Sequence, residues 1–551
     1  MKDVKKVIKK YQITKIIIFI LIIALGVYIA YDRIFSEEDY QQAISHTNIE
    51  EIKKDEVILP MLPPKTFSPI ASKSADVQYI GRLVYSRLFK FDQNMTPQND
   101  LADTVSFNGK NVDIKLKSAK WHKGGNVTAQ DIIFTVQAIN DYGKKGPYFD
   151  KVDKIENITG QGKNLKITFK DPLDISLADL SFPIVNHEDY TKDFEKDNKV
   201  IPQGSGMYKV KKYNKGKSIK YIPNNGYYGD IPKSNLIVNF HKKSSSFTTL
   251  VETSNISAYY TKDNDIETKV TKPNVKIQSF PSNNLDFIGF NTKDSVCKNG
   301  YLRRGLIHAI DMETIRDDFY YDSMIPSDSL YMPGYLDAEK ISNFEEDLEL
   351  AIKFLKKGKI EDYNGDGQRE LVENEDINLK ILVDSSKKER VYTAEGLEDF
   401  FDDIGISSTV VKVNSDQYME KLKKGDFDLY IGGINIDETM DFRPLLATDG
   451  KLNYTGFSNE ELDNKMNQFM SGKNIEENKV IVEEIKQIIK NKIPYYPIGY
   501  HKYKIVKAPS LNGELEPNFI NPYRGISGWN SIYKKVIQED NQEDKDIKDE
   551  K

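Results

Sequence analysis

An uncharged apolar run near the N-terminus constrains this chain most, because it sets one short segment apart from all that follows. Residues 16–31 include no charge, and eleven of these sixteen side chains are Ile, Leu, Val or Phe. A membrane span needs about 20 apolar residues, whereas the core of a signal peptide has about 7–15. The run, extended to residues 16–35, therefore predicts a transmembrane anchor, with a cleaved signal segment as the alternative.

Charge around this run predicts its orientation. Residues 1–15 form a basic segment with six lysines, and by the positive-inside rule this segment stays in the cytoplasm. We therefore expect a single-pass protein of the cell membrane whose body lies on the extracytoplasmic side.

The composition of the body narrows the function classes. After residue 15 the chain holds 72 basic and 83 acidic residues, and this negative balance argues against nucleic acid as a partner. The single cysteine, Cys297, excludes an intrachain disulfide and a multi-cysteine metal site. Neither a G-x-S-x-G elbow nor a G-x4-G-K-[ST] loop occurs, so we do not expect an enzyme.

Patterning divides the rest of the chain into a linker at residues 36–55, a folded body and a charged, disordered acidic tail at residues 538–551. Strand-like alternation, as in Asn111–Lys117, is interspersed with helical periodicity. Thr128 and Asp131 have the spacing of a capping box that begins a helix, and Gly358 ends another helical pattern. The body is therefore predicted to be mixed α/β with more than one lobe.

Five segments, in this order, resemble the extracytoplasmic solute-binding proteins of peptide ABC transporters, the oligopeptide- and dipeptide-binding proteins of solute-binding family 5. The segments are "LADTVSFNGKNVDIKLKSAKWHKGGNVTAQDIIFTVQAI", "GSGMYKVKKYNKGKSIKYIPNNGYYGD", "LDFIGFNTKDSVCKNGYLRRGLIHAIDMETI", "LEDFFDDIGISSTVVKVNSDQYMEKLKKGDFDLYIGGINID" and "IPYYPIGYHKYKIV". Together they extend over about 400 residues, so the resemblance covers the body and neither terminus.

The resemblance implies a two-lobed periplasmic-binding-protein-like α/β fold with two hinge crossings, near residues 281–285 and 493–497. It places lobe 1 at residues 56–282 plus 494–537, with an inserted subdomain at about 80–200, and lobe 2 at residues 283–493.

The function that the resemblance implies is a membrane-tethered, monomeric receptor. It would bind peptides between its lobes and deliver them to the permease subunits of an ABC importer. Two alternatives stay open: a peptide-sensing module without transport, and a receptor for another solute such as a nickel chelate or a sugar.

The segment "LYIGGINID" carries the predicted ligand site. Gly432 and Gly433 would let a peptide backbone approach and pair with the strand, beside Ile434 and Asn435. In the family an aspartate at this place meets the α-amino group of the ligand, and the resemblance puts Asp437 there, with Asp441 as a competing candidate. Ile434 stands where peptide binders often carry Trp, and this departure keeps the ligand class open.

A second motif, "DYNGDGQRELVE", matches the spelling of a calcium loop. Its would-be ligands are Asp362, Asn364, Asp366, Gln368 and Glu373. A strand pattern follows in place of the second helix of an EF-hand, so we expect a structural turn, with bound calcium as the alternative. No other cofactor is expected.

Overall fold

The computed structural model of this chain describes residues 49–341, 343–371, 375–471 and 474–536. The predicted anchor at residues 16–35 and the acidic tail lie outside these ranges. Within them, no helix is both long and apolar enough to cross a membrane. The described residues divide into two units, a small one at residues 49–54 with 532–536 and a large one at residues 55–531.

Strands and helices are mixed along the described residues. The strands are β1 (Ile49–Lys54), β2 (Glu56–Met61), β3 (Phe89–Phe91), β4 (Pro97–Asn99), β5 (Ala102–Asn108), β6 (Asn111–Leu116), β7 (Ile155–Gln161), β8 (Asn164–Phe169), β9 (Tyr208–Asn214), β10 (Ser218–Pro223), β11 (Asn235–Phe240), β12 (Ala258–Thr261), β13 (Lys276–Phe290), β14 (Met324–Ile325), β15 (Glu370–Leu371), β16 (Glu375–Asp376), β17 (Asn378–Asp384), β18 (Ser407–Val413), β19 (Leu429–Asn435), β20 (Tyr495–Lys507), β21 (Leu511–Asn512) and β22 (Asn530–Val536). The helices are α1 (Ala75–Val84), α2 (Ala129–Tyr142), α3 (Phe149–Val152), α4 (Phe247–Glu252), α5 (Ile266–Lys269), α6 (Gly300–Ala309), α7 (Met312–Thr314), α8 (Leu348–Lys357), α9 (Lys388–Asp402), α10 (Ser415–Lys424), α11 (Arg443–Leu446), α12 (Glu460–Met470) and α13 (Ile475–Lys492).

Local signals in the sequence are reproduced in the elements. Helix α2 begins after Thr128 with both hydrogen bonds of the predicted capping box, one to each side chain. Helix α8 ends at Lys357, and Gly358 follows as its C-cap. Both predictions are confirmed. Each depends on contacts within one or two turns of a helix, which the local sequence specifies.

The largest sheet runs in the order β12-β20-β13-β19-β17-β18, with β14 also paired to β20. Strands β17, β18 and β19 are parallel and connected through α9 and α10, while β13 is antiparallel to both β19 and β20. The predicted crossing at residues 281–285 falls inside β13, where its register with β20 shifts. The other predicted crossing falls at the start of β20.

Two further four-stranded sheets occupy the part of the chain before β13. One has the order β2-β11-β10-β9, and the other has the order β5-β6-β8-β7. The second sheet and α2 enclose a hydrophobic core of buried residues between Ile70 and Tyr190, in the region predicted as the inserted subdomain. The domain boundaries themselves stay predictions.

A separate core joins the two halves of the large unit, the first half being the residues before β13 and the second half the residues from β13 onward. It includes Phe91 and Ala178 from the first half, Phe442 and Leu446 from the segment after β19, and Ile520 from near the C-terminus. This shared core holds the segment after β19 against the first half, and that junction is where the candidate site lies.

Candidate functional site

Strand β19 presents its end to the junction between the two halves. It pairs with β13 along its whole length, from Leu429 to Asn435, but β17 pairs only with Leu429 and Tyr430. Gly433 and Asn435 are exposed, and Ile434 is half-buried. The last residues of β19 therefore present a strand edge on the side where β17 pairs only with the first two residues of the strand.

Side chains from the sheet and from α9 lie close to the two glycines of β19. A Cβ on Gly433 would lie 2.0 Å from Nη2 of Arg390 and 2.4 Å from Oδ1 of Asp286. A Cβ on Gly432 would lie 2.5 Å from the ring of Tyr430. Both positions require glycine for packing reasons that the motif alone does not show, and their contact with a ligand stays a prediction.

The group packed against Gly433 is a buried ionic network. Asp286, 1% exposed, accepts hydrogen bonds from Nε and Nη2 of Arg390 at 2.9 and 2.7 Å and from the hydroxyl of Tyr320 at 2.8 Å. His501 lies 3.4 Å from the same carboxylate. Burial alone would raise the pKa of Asp286, but His501 and Arg390 together hold it well below its usual range.

Asp437 follows β19 and forms a turn. The backbone N–H of Ile436 donates to the carbonyl of Asn283 at 2.9 Å, which holds the exit of β19 against β13. Oδ1 of Asp437 accepts a hydrogen bond from the N–H of Thr439 at 2.9 Å and another from its hydroxyl. Asp437 nevertheless stays exposed at the junction, so its carboxylate has access to an incoming group.

Glu438, the next residue, connects the two halves. It forms ion pairs with Lys151 at 3.0 Å and with Arg82 at 3.7 Å, and all three side chains are largely buried. Burial would raise the pKa of Glu438, but Lys151 and Arg82 lower it below its usual value. Glu438 also raises the pKa of Lys151 against the opposing effect of burial.

Asp179 lies near Lys151 and Asp437, and the pKa of its carboxyl is raised rather than lowered. It forms an ion pair with Lys154 at 2.8 Å. Burial raises its pKa to about 6, with a further rise from Asp437, against the lowering effect of Lys154 and Lys151.

Asp441, the competing candidate, is already engaged. Its carboxylate accepts hydrogen bonds from Nε and Nη2 of Arg443 at 2.9 and 2.8 Å. Arg443 also reaches the first half, where it donates to Asp174 at 3.0 Å and to the carbonyl of Leu173 at 2.9 Å. Asp441 therefore helps to hold the junction together.

A cavity of about 510 Å³ adjoins the ion-paired cluster of Glu438, Lys151 and Arg82, since Arg82 is one of the residues that line it. Arg87 also lines it, is 2% exposed, and has Nε and Nη2 atoms without a hydrogen-bond partner among the described residues. The same is true of Nε of Arg82. Burial, and then the neighbouring charge of Arg87, lowers the pKa of Arg82 to about 10. Arg82 and Arg87 bring positive charge to this cavity, which Asp100, Asp230, Glu514 and Glu516 also line.

Sequence reasoning named Asp437 and missed Glu438, Arg82, Lys151 and Arg87. Their partners lie far along the chain; Lys151 and Glu438, for instance, are 287 residues apart. Only the unusual concentration of acids in "IDETMD" marks the region in the sequence.

The two halves, their shared sheet and a ligand-sized cavity beside the junction are features of a two-lobed α/β solute-binding protein. Comparison with known families identifies the group. Residues 96–454 match the family described as bacterial extracellular solute-binding proteins, family 5 Middle. This chain belongs to that family, whose members are binding components of transport systems rather than enzymes.

Individual relatives agree with this assignment. The chain is 25% identical over 477 residues to the oligopeptide-binding protein AppA of Bacillus subtilis, covering 82% of this chain and 87% of AppA. The murein tripeptide-binding protein MppA, in its unliganded open form, superimposes with a TM-score of 0.75 at 17% identity, covering 88% of this chain and 99% of MppA. A nickel ABC transporter structure from Bacillus halodurans gives a TM-score of 0.71 at 17% identity, covering 84% of this chain and 96% of the other.

Proposed function

We propose that this protein captures peptides outside the cell membrane and delivers them, as a monomer, to the permease of an ABC importer. The observation that carries the proposal is the placement of opposite charges at one junction. Asp437 is exposed beside Glu438, and Glu438 contacts Arg82, which lines the cavity that holds Arg87. A peptide has an ammonium group and a carboxylate, and this arrangement has a counterpart for each. The relative AppA, an oligopeptide-binding protein, supports the same ligand class.

The ammonium group of the peptide is assigned to Asp437. Asp437 is exposed and accepts hydrogen bonds from the uncharged Thr439, whereas the carboxylate of Asp441 is ion-paired with Arg443. A charge-assisted contact of this kind contributes about 1.5–3 kcal/mol when water is excluded. The peptide backbone would then run along the edge of β19 at residues 433–435, where β17 no longer pairs.

The carboxylate of the peptide is assigned to the cavity with Arg82 and Arg87. A buried guanidinium without an anion is unfavourable, since its N–H groups have lost water and have not gained a partner. A carboxylate supplies the missing acceptor and fits a guanidinium in a bidentate way.

Calorimetry with paired peptides tests this assignment. Mass spectrometry of ligand retained by the native protein selects a peptide, which is then compared with its C-terminal amide on the wild type and on Arg87→Met. We expect amidation to weaken binding to the wild type by about 10- to 150-fold, the equivalent of about 1.5–3 kcal/mol. On Arg87→Met, the same amidation should have a clearly smaller effect, because one of the two guanidinium groups assigned to the carboxylate is gone.

Arg304→Met is the matched control, since Arg304 donates to the carbonyl of Asn491 and does not line the cavity. It should keep the full effect of amidation. Equal affinity of the wild type for acid and amide would refute the carboxylate assignment. Absence of any retained peptide, with no binding to a peptide library, would refute the function and favour another solute.

Delivery to a permease is tested separately from binding. Uptake of the labelled peptide in a deletion strain should fall and be restored by the wild type. Unchanged uptake with an altered peptide response would instead support a sensing module.

We further propose that residues 16–35 remain as a single-pass anchor. The uncharged run and the six lysines before it support this proposal. N-terminal sequencing of the native protein should find the basic segment still attached. A mature N-terminus near Val27 or Tyr31 would refute the anchor.

A further inference from the structure

The loop at residues 362–370 is built around carboxylates. Oδ1 of Asp362 accepts from the N–H of Gly365 at 2.6 Å, and its Oδ2 accepts from the N–H of Gly367 at 3.0 Å. Gly367 has a φ of +94° and Gly365 a φ of +84°, so the chain turns sharply where side chains are disfavoured. Gly367 stands at the sixth position of the motif, where calcium loops have an obligatory glycine.

Three carboxylates converge on this loop. An oxygen from each of Asp362, Asp366 and Glu370 lies within 4.8 Å of the other two. Glu370 stands at the ninth position of the motif, whereas the predicted ligand Glu373, at the twelfth, lies outside the described residues. Asp362 and Asp366 are thus common to the motif and to this cluster, and the structure adds Glu370.

Glu370 has a feature that a surface turn does not need. It is fully buried, at 0% exposure, and its Oε1 has no hydrogen-bond partner among the described residues. Oε2 accepts from the N–H of Tyr363 at 2.8 Å, which holds the carboxylate against the loop. A buried carboxylate oxygen without a donor is costly, and two further carboxylates lie close to that of Glu370.

We propose that this loop binds a calcium ion through Asp362, Asp366 and Glu370. Calcium takes six to eight oxygen ligands in flexible geometry, and the side chain of Asn364 and the backbone carbonyl of Gln368 stand at the positions that supply further oxygens in such loops. The ion satisfies the buried Oε1 of Glu370 and removes the repulsion among three carboxylates. Because Glu370 begins β15 and its backbone pairs with Glu361, the ion ties the loop to the hairpin that leads into β17.

Calorimetric titration of the full chain with calcium chloride, after treatment with a chelator, tests the site directly. We expect one calcium per chain, with a dissociation constant between about 10⁻⁶ and 10⁻³ M, and a higher melting temperature in calcium. Tyr363 lies within the loop and is 49% exposed, so it should also sensitise terbium luminescence that calcium quenches by competition.

Glu370→Gln should weaken calcium binding at least about tenfold, because a charged ligand is lost. Glu361→Gln is the matched control, with the same change on the backbone partner of Glu370, and should bind within about twofold of the wild type. Asp366→Asn provides a second, exposed ligand variant in case Glu370→Gln does not fold.

Two results would overturn the proposal. One is the absence of both binding heat and a melting shift at several millimolar calcium. The other is unchanged affinity in Glu370→Gln or, if that variant does not fold, in Asp366→Asn. Equal binding of magnesium would overturn the assignment to calcium, since magnesium demands a more rigid octahedral site. None of these results depends on whether the protein binds peptides.

Discussion

Replacing Arg390 by Met should destabilise the protein, because it leaves the buried negative charge of Asp286 without its cationic partner. Arg390 donates two hydrogen bonds to Asp286, which lies at the register shift of β13 and is 1% exposed. Met has a similar length and fills much of the same space, so the main loss is the guanidinium. Asp286 then keeps only Tyr320 and His501 as neighbouring polar groups in the network.

The expected loss follows from the cost of leaving a buried charge without its partner. Removal of one member of a buried ion pair typically costs about 3–5 kcal/mol, so we expect the free energy of unfolding at pH 7 to fall by that amount. The double variant Asp286→Asn/Arg390→Met should lose less than Arg390→Met alone, because no charge remains buried.

The pH dependence of this loss has a definite sign. In the wild type, the pKa of Asp286 is lowered, so its contribution to stability is present above its unfolded pKa, near 4, and is lost only in strong acid. In Arg390→Met, burial would raise the pKa of Asp286 above 4. The deficit of the variant should therefore be smallest near pH 4 and should grow by up to about 1.4 kcal/mol per pH unit until the new pKa is reached.

Urea unfolding of both proteins at pH 4 to 7 measures this difference. Lys412→Met is the control, since Lys412 pairs with Glu395 on the surface and both are 44% exposed; it should cost less than about 1 kcal/mol. A loss below about 1 kcal/mol for Arg390→Met, or a deficit that does not change with pH, would refute the reasoning.

Two further predictions concern the junction. Glu438→Gln leaves Lys151 and Arg82 buried without their anion, so the free energy of unfolding should fall by about 3 kcal/mol in urea, and a loss below about 1 kcal/mol would contradict the proposed ion pairs. Asp179→Asn removes a carboxyl whose raised pKa of about 6 makes the wild type lose stability as the pH rises from about 4 to 6. Thermal melts across this range should show the variant gaining on the wild type by up to about 3 kcal/mol, and parallel curves would contradict it.

Local sequence patterns predicted much of the fold. The capping box at Thr128 and the end of α8 before Gly358 depend on neighbours a few residues away, so the sequence contains all the information that they need. Strand and helix periodicity, with the order of the family-like segments, predicted the α/β architecture that the family assignment supports.

The chemistry of the junction could not be predicted in the same way. The partners of Glu438 and Asp286 come from distant segments, and the separation of Asp286 and Arg390 is 104 residues. The packing at Gly433 could not be predicted for the same reason, because the side chains nearest to the position of a Cβ there belong to α9 and β13.

The sequence by itself determined the family, the α/β order and the existence of a carboxylate-rich loop, since each is encoded in contiguous residues. Only the tertiary structure decided which charges meet: Glu438 with Lys151, and Glu370 with Asp362 and Asp366. Burial also comes from packing alone. Because burial raises the pKa of both Asp286 and Asp179, the lowered pKa of Asp286 comes from His501 and Arg390 packed against it, whereas the pKa of Asp179 stays raised.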